Sequence, residues 1–308
     1  MTVKNIAVIG ECMIEMKKIG DTYTQSFGGD TLNTAVYFAR LTQSLPIKTH
    51  YYTGVGQDKF SQQMLRQWED EGLCTQNTVV SEYHVPGIYI IETSPDGERQ
   101  FLYWRQHSAA KYWLEKINIA QLQQQFNECT FIYLSGISLA ILPEDSRLTL
   151  FELLSNARKN GSKIVFDNNY RPALWTSIDE AKKSYGSMLS LTDIAFLTFD
   201  DEIALYGNKS VEQIIEMTQS KGVSEIIIKR GASPCIIAID ERCIEVEAST
   251  VENVIDTTAA GDSFSAAYLA SRIKGDTPEK SAHNAHLLAG TVIQYHGAII
   301  PKNVMPKI

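Results

Sequence analysis

What this sequence lacks narrows it first. No run of eighteen or more apolar residues occurs along the 308 positions, so no segment reads as a membrane-spanning helix. The first ten residues have neither the basic start nor the long apolar centre and small-residue cleavage site of a secretory signal. A basic surplus is missing too. The 28 Lys and Arg stand against 36 Asp and Glu, a net charge of -8, which argues against a nucleic-acid partner or an anionic membrane surface. The five cysteines, Cys12, Cys74, Cys129, Cys235 and Cys243, are odd in number, and none forms a C-x-x-C pair or stands at zinc spacing from a histidine. They read as reduced thiols. Internal repeats, low-complexity tracts and long linkers are also absent, so the chain is expected to be one cytoplasmic unit over 1–308.

What is there is an alternation. Short β-branched runs at Ile6, His50, Phe131, Lys163, Ile194, Glu225 and Cys235 are separated by helical patterns at 31–41, 61–71, 145–160, 177–189, 211–221, 262–273 and 278–294. That order predicts an α/β fold: a mainly parallel central sheet with helices on both faces, its ligands beyond the carboxyl ends of the strands. One segment breaks the rhythm. Gly87 to Arg105 has two β-rich runs around Pro95-Asp96-Gly97, a hairpin signal, and period-two alternation places Phe101, Tyr103 and Arg105 on one face with Leu102 and Trp104 on the other. A ribbon apolar on both sides has something to cover on each, the active site on one and a second copy of the chain on the other.

The chemistry concentrates in two stretches. In "DTTAAGDSF", Ala259, Ala260 and Gly261 are small enough for backbone amides to approach a ligand, and Asp262 stands where a helix begins. Free amides at a helix entrance make an anion cradle. Asp262 taken alone reads equally well as the cap of its helix. In "FGGDTLN", Gly28 and Gly29 supply a turn at another helix entrance, with Asp30 beside it and Asn33 one turn in. "TGVGQDKF" is a weaker lure: Lys59 stands where a dinucleotide fingerprint needs its third glycine.

The ordered pair of stretches, some 230 residues apart, closely resembles the two signatures of the PfkB (ribokinase-like) family of carbohydrate kinases. The resemblance extends over the whole chain through "IGECMIE", "FLYWR", "FDNNYRPALW" and "IIIKRGA", and narrows to a subgroup that phosphorylates a six-carbon keto sugar acid. It implies ATP and Mg2+, Asp262 as base, and Ala259, Ala260 and Gly261 as the anion hole. It also implies Gly29, Asp30 and Asn33 on the sugar hydroxyls, and a small β-sheet lid drawn from about 11–27 and 86–108 through which a homodimer or larger homo-oligomer forms. A sugar acid needs a cation, and a guanidinium fork matches a carboxylate. Arg105 and Arg171 are the candidates, with Tyr89 and Tyr103 lining the same pocket. On the nucleotide side the resemblance implies Asn169, Lys229, Gly231 and Asn284.

The chain departs from the family at two points. The first glycine of the anion hole is Ala259, tolerable if its φ stays negative. The metal-organising Asn-x-x-Glu appears as Phe199-Asp200-Asp201-Glu202: Glu202 is kept, and the two aspartates read as a solvated helix start. A kinase for a neutral sugar or a nucleoside remains an open alternative, and so does a silent sugar-binding regulator on the same scaffold, although the intact Gly261-Asp262 pair argues against the regulator.

Overall fold

Short apolar strands buried on both faces set the architecture. In "KNIAVI", Ile6 and Val8 point into one core while Ala7 and Ile9 point into the other, and none is more than 2% exposed. The computed structural model describes residues 3–93, 99–248 and 250–308. The chain runs β1 (Lys4–Ile9), β2 (Met13–Ile19), β3 (Thr22–Gly28), α1 (Asp30–Thr42), β4 (Ile47–Tyr52), β5 (Gly54–Val55), α2 (Lys59–Asp70), β6 (Leu73–Cys74), β7 (Val79–Val80), β8 (Ile88–Thr93) and β9 (Arg99–Trp104). It continues through α3 (Ile119–Asn127), β10 (Cys129–Ser135), α4 (Gly136–Ile141), α5 (Glu144–Lys159), β11 (Lys163–Asp167), α6 (Ile178–Leu189), β12 (Ile194–Thr198), α7 (Phe199–Tyr206) and α8 (Val211–Gln219). The last elements are β13 (Glu225–Arg230), β14 (Ser233–Ile239), β15 (Arg242–Val246), α9 (Ala260–Lys274) and α10 (Pro278–Val292).

The large sheet has the order β15-β14-β13-β12-β11-β10-β1-β4-β6, parallel from β6 to β13. Helices α1, α2, α9 and α10 close one face, and α3 to α8 close the other. The strand expected at Cys235 is β14, which runs antiparallel to β13 because only Gly231 and Ala232 separate the paired Arg230 and Ser233. So short a link cannot make a crossover. Helices α3 and α4 were not expected; α3 is rich in glutamine and capped by Asn118, while α7 begins at the acidic residues that read as a helix start.

A second, four-stranded sheet has the order β3-β2-β8-β9, with β2 and β8 parallel and the outer pairs antiparallel. The expected turn at Pro95-Asp96-Gly97 lies outside the described residues. Packing explains where the two sheets meet. A Cβ on Gly29 would lie 2.1 Å from the carbonyl oxygen of Glu11, and one on Gly28 would lie 2.2 Å from the Tyr89 hydroxyl. Backbone blocks any side chain at Gly29, whereas at Gly28 Tyr89 would have to move, so the Gly28-Gly29 turn lets α1 start flush against the end of β1.

Candidate active site

The carboxyl ends of the parallel strands collect the polar residues. Glu11 follows β1, Asp167 ends β11, Thr198 ends β12, and Lys229 stands one residue from the end of β13. Against these ends comes the amino end of α9, a helix so crowded with small residues that every position from Ser263 to Ser271 is buried. Asp262 lies in its first turn. Asn33, on the neighbouring α1, donates from Nδ2 to Asp262 Oδ2 at 2.9 Å, and Thr34 donates to the Asp262 carbonyl at 3.3 Å. Burial holds the Asp262 carboxyl well above the usual carboxylate range. The negative charges of Asp30 and Asp167 add to that rise, against the pull of Asn33 and Lys229.

The turn before α9 differs from expectation. Ala259 has φ 61 and ψ 13, left-handed rather than negative, and its carbonyl accepts from Ser263 N at 2.9 Å. The Ala260 amide, expected in the anion hole, donates to the Thr257 carbonyl at 3.2 Å. The left-handed residue swings the chain into the helix in one step, which leaves Gly261 and Asp262 as the first-turn amides without an intrahelical acceptor.

Beside that turn stands Lys229. Its Nζ donates to Asp167 Oδ2 at 2.7 Å, and a Cβ on Gly261 would lie 3.4 Å from it. Asp167 also accepts from Ser265 at 2.9 Å and from Tyr133 at 3.3 Å, and both its own side chain and that of Lys229 are largely buried. A cation fixed by a buried carboxylate next to a helix entrance suits an anionic group.

Asn169 does not continue the extended run of β11, because its φ is 29. The chain turns there, and Asn169 donates to Asp30 Oδ2 at 2.6 Å, at the start of α1. Asn168 holds Glu202 instead of an asparagine at position 199: its Nδ2 donates to Glu202 Oε1 at 2.9 Å while its Oδ1 accepts from Thr198 N at 2.9 Å. Glu202 is 1% exposed, with its carboxyl pushed up to about 7 by burial, and its Oε2 is buried without a hydrogen-bond partner. Asp201 is no solvated helix start. Its Oδ2 accepts from Tyr170 N at 3.1 Å, its Oδ1 lies 3.5 Å from Arg171 Nη1, and burial raises its pKa.

Arg171 is half exposed, and Arg105 is not. Arg105 Nη2 donates to Glu11 Oε2 in a buried ion pair, and Glu11 is a residue that the sequence did not single out. Its burial at the end of an apolar strand was the available signal. The Tyr103 ring stacks on Tyr89 with centroids 5.7 Å apart, and Arg105 Cζ lies 5.9 Å from the Tyr103 ring centroid. Burial raises the Tyr103 hydroxyl, while the charges of Arg105 and Arg171 both oppose it. Tyr89 donates to Glu15 Oε2, and Ser26 donates to Glu15 Oε1 at 2.8 Å.

One expected residue lies apart from the cluster, and another lies in the turn just beyond Lys229. Asn284 donates to Ser271 Oγ at 2.9 Å. Ser271 lies nine residues beyond Asp262 on α9, roughly 13 Å at the helical rise. Gly231 forms the exposed β13–β14 turn with φ 60. Two adjoining clefts of about 580 and 500 Å³ lie by α3 and the amino ends of β1 and β4, and hold none of the cluster. Among the described residues no three His, Cys, Asp or Glu side chains form a metal-binding group, and no helix is long and apolar enough to cross a membrane.

An α/β sheet flanked by a smaller second sheet, with a carboxylate and a fixed lysine at one helix entrance, defines a phosphoryl-transfer enzyme of the sugar-kinase type. The chain belongs to the pfkB family of carbohydrate kinases, whose model matches residues 3–305. It is 52% identical over 306 residues to the 2-dehydro-3-deoxygluconokinase of Escherichia coli (strain K12), covering 98% of this chain and 99% of that protein. It is 50% identical over 309 residues to the enzyme of the same name from Dickeya dadantii (strain 3937), covering 99% and 100%. Among solved structures, a fructokinase with bound ATP from Xylella fastidiosa superposes with a TM-score of 0.84 at 22% identity, covering 99% of this chain and 96% of that one.

Proposed function

We propose that this protein transfers the γ-phosphoryl group of ATP to the terminal (C6) hydroxyl of 2-keto-3-deoxygluconate, giving 2-keto-3-deoxy-6-phosphogluconate and ADP. The observation that carries the reading is the Asp262 carboxylate at the amino end of α9, held at 2.9 Å by Asn33 from the other end of the chain. The 50% and 52% identity, over nearly the full length, to enzymes of that name supplies the substrate.

Phosphoryl transfer asks the protein mainly for positioning and charge neutralisation. Asp262 accepts the hydroxyl proton as the new O–P bond forms and the bond to the bridging oxygen of ADP breaks. Its raised proton affinity matches a base working near neutral pH. The Gly261 and Asp262 amides and Lys229 face the charge on the transferred group. Asp30 and Asn33 hold sugar hydroxyls, Asn169 braces Asp30, and Tyr89 and Tyr103 wall the pocket. Arg105 and Arg171 are the cations for the substrate's carboxylate. Magnesium, when bound with ATP, supplies the positive charge that neutralises the phosphates. Glu202 fits a role beside it, because its unpaired buried Oε2 is an acceptor left for a metal-bound water. The second sheet acts as a lid that excludes water. Its exposed β9 face pairs with a second copy of the chain, and the enzyme works in the cytoplasm.

A coupled ADP-release assay against keto sugar acids, fructose and ribose, with and without magnesium, tests this. The keto acid should be the best substrate, and Arg171→Met should raise its KM at least tenfold while leaving any neutral-sugar KM within about twofold. A wild-type enzyme that prefers fructose or ribose overturns the assignment.

A further inference from the structure

Glu11 has no part in the reading above, yet the fold places it with care. It is 2% exposed and stands two residues beyond the end of β1, where the second sheet begins. Its Oε2 accepts from Nη2 of Arg105, the residue that follows β9, and the Arg105 side chain is 11% exposed. A guanidinium taken this far from water needs a counter-charge, and Glu11 provides it.

The pair is also incomplete. Glu11 Oε1 and Arg105 Nε are both buried and both lack a partner, so two forked groups that could meet edge to edge meet through one hydrogen bond. Gly87 sits against both: a Cβ there would lie 3.0 Å from Arg105 Cβ and 3.3 Å from Glu11 Oε1. The Glu11 backbone is equally confined, since its carbonyl oxygen lies where a Cβ of Gly29 would come. A carboxylate with no freedom of its own therefore grips the guanidinium at one corner.

We propose that Glu11 is the positioning residue for Arg105: it fixes the guanidinium from the rigid end of β1 and leaves the rest of the fork to the substrate's carboxylate. This rests on the reading that Arg105 takes that carboxylate. Glu11 itself does not touch the sugar; it carries the geometry of the large sheet to a cation that the edge strand of the second sheet would otherwise place alone. The Gly87 contact and the left-over Oε1 then belong to the same device, a close fit that limits how far the side chain can turn.

A double-mutant cycle tests it, with KM and kcat for the keto sugar acid as readouts. Glu11→Gln keeps the shape and removes the charge. It should raise KM at least tenfold with kcat within about threefold, and in an Arg105→Met background the same change should move KM less than twofold. Glu11→Asp, which keeps the charge, should restore part of the affinity, and it replaces Glu11→Gln if that variant is recovered only as aggregate. An unchanged or lower KM in Glu11→Gln, or an equal rise in both backgrounds, overturns the proposal. The wild-type measurement reads the proposed activity and the ratio between backgrounds reads Glu11, so the two fail separately.

Discussion

At the residue scale the question is what one carboxylate contributes. Asp262→Asn keeps the hydrogen bond from Asn33 possible and removes the proton acceptor, so turnover should fall by about 10²–10⁴ with substrate KM little changed. Steady-state kinetics checks it, and turnover within a few-fold of wild type would deny Asp262 the role of base. Because burial raises the pKa of Asp262 above the ordinary carboxylate range, wild-type kcat should climb with pH as that group loses its proton. Gly28→Ala asks a steric question instead. The new methyl would lie 2.2 Å from the Tyr89 hydroxyl, so Tyr89 must leave Glu15, and KM for the sugar should rise several-fold while the nucleotide KM holds.

Elements show how much of this the sequence already held. The strands at Ile6, Phe131, Lys163, Ile194 and Glu225 were legible because each is buried on both faces, and the starts of α1 and α9 were legible because small residues pack there. Ala259 was misread. Its left-handed φ depends on the Ser263 amide closing onto its carbonyl, which composition does not disclose. Left-handed alanine is strained by about 1–2 kcal/mol, part of which glycine returns through its looser unfolded chain, so Ala259→Gly should raise the melting temperature by up to about 3 °C. Differential scanning calorimetry measures it, and a lower midpoint would speak against the strain. Glu11 and Asn168 were invisible because their partners, Arg105 and Glu202, come from distant strands and helices.

Helix α7 carries a prediction with a pH sign. Glu202 holds its proton up to about 7 in the folded chain against 4.5 as the ordinary value. The native state therefore binds more protons than the unfolded one across that window, and stability falls as pH rises through it, by roughly 3 kcal/mol at most. Glu202→Gln removes the cost. In magnesium-free buffer the variant should melt a few degrees above wild type at pH 8 and level with it near pH 4.5; equal differences at both would refute the assignment.

The whole molecule leaves one conspicuous surface. Phe101, Leu102, Tyr103 and Trp104 are 44%, 46%, 52% and 58% exposed in succession on β9. A run of that kind marks an interface more often than a solvated strand. Light scattering should find the wild type dimeric or larger, and Leu102→Asp with Trp104→Glu should give a monomer; a wild type that is already monomeric at working concentration rules the interface out. The bond from Asn33 to Asp262 spans 229 positions of the chain and joins α1 to α9, which pack side by side in one apolar core. During synthesis, then, the proposed sugar pocket's first wall waits unfinished until position 262 is reached, and a polypeptide released before that point would carry nearly the full sheet yet lack the proposed base.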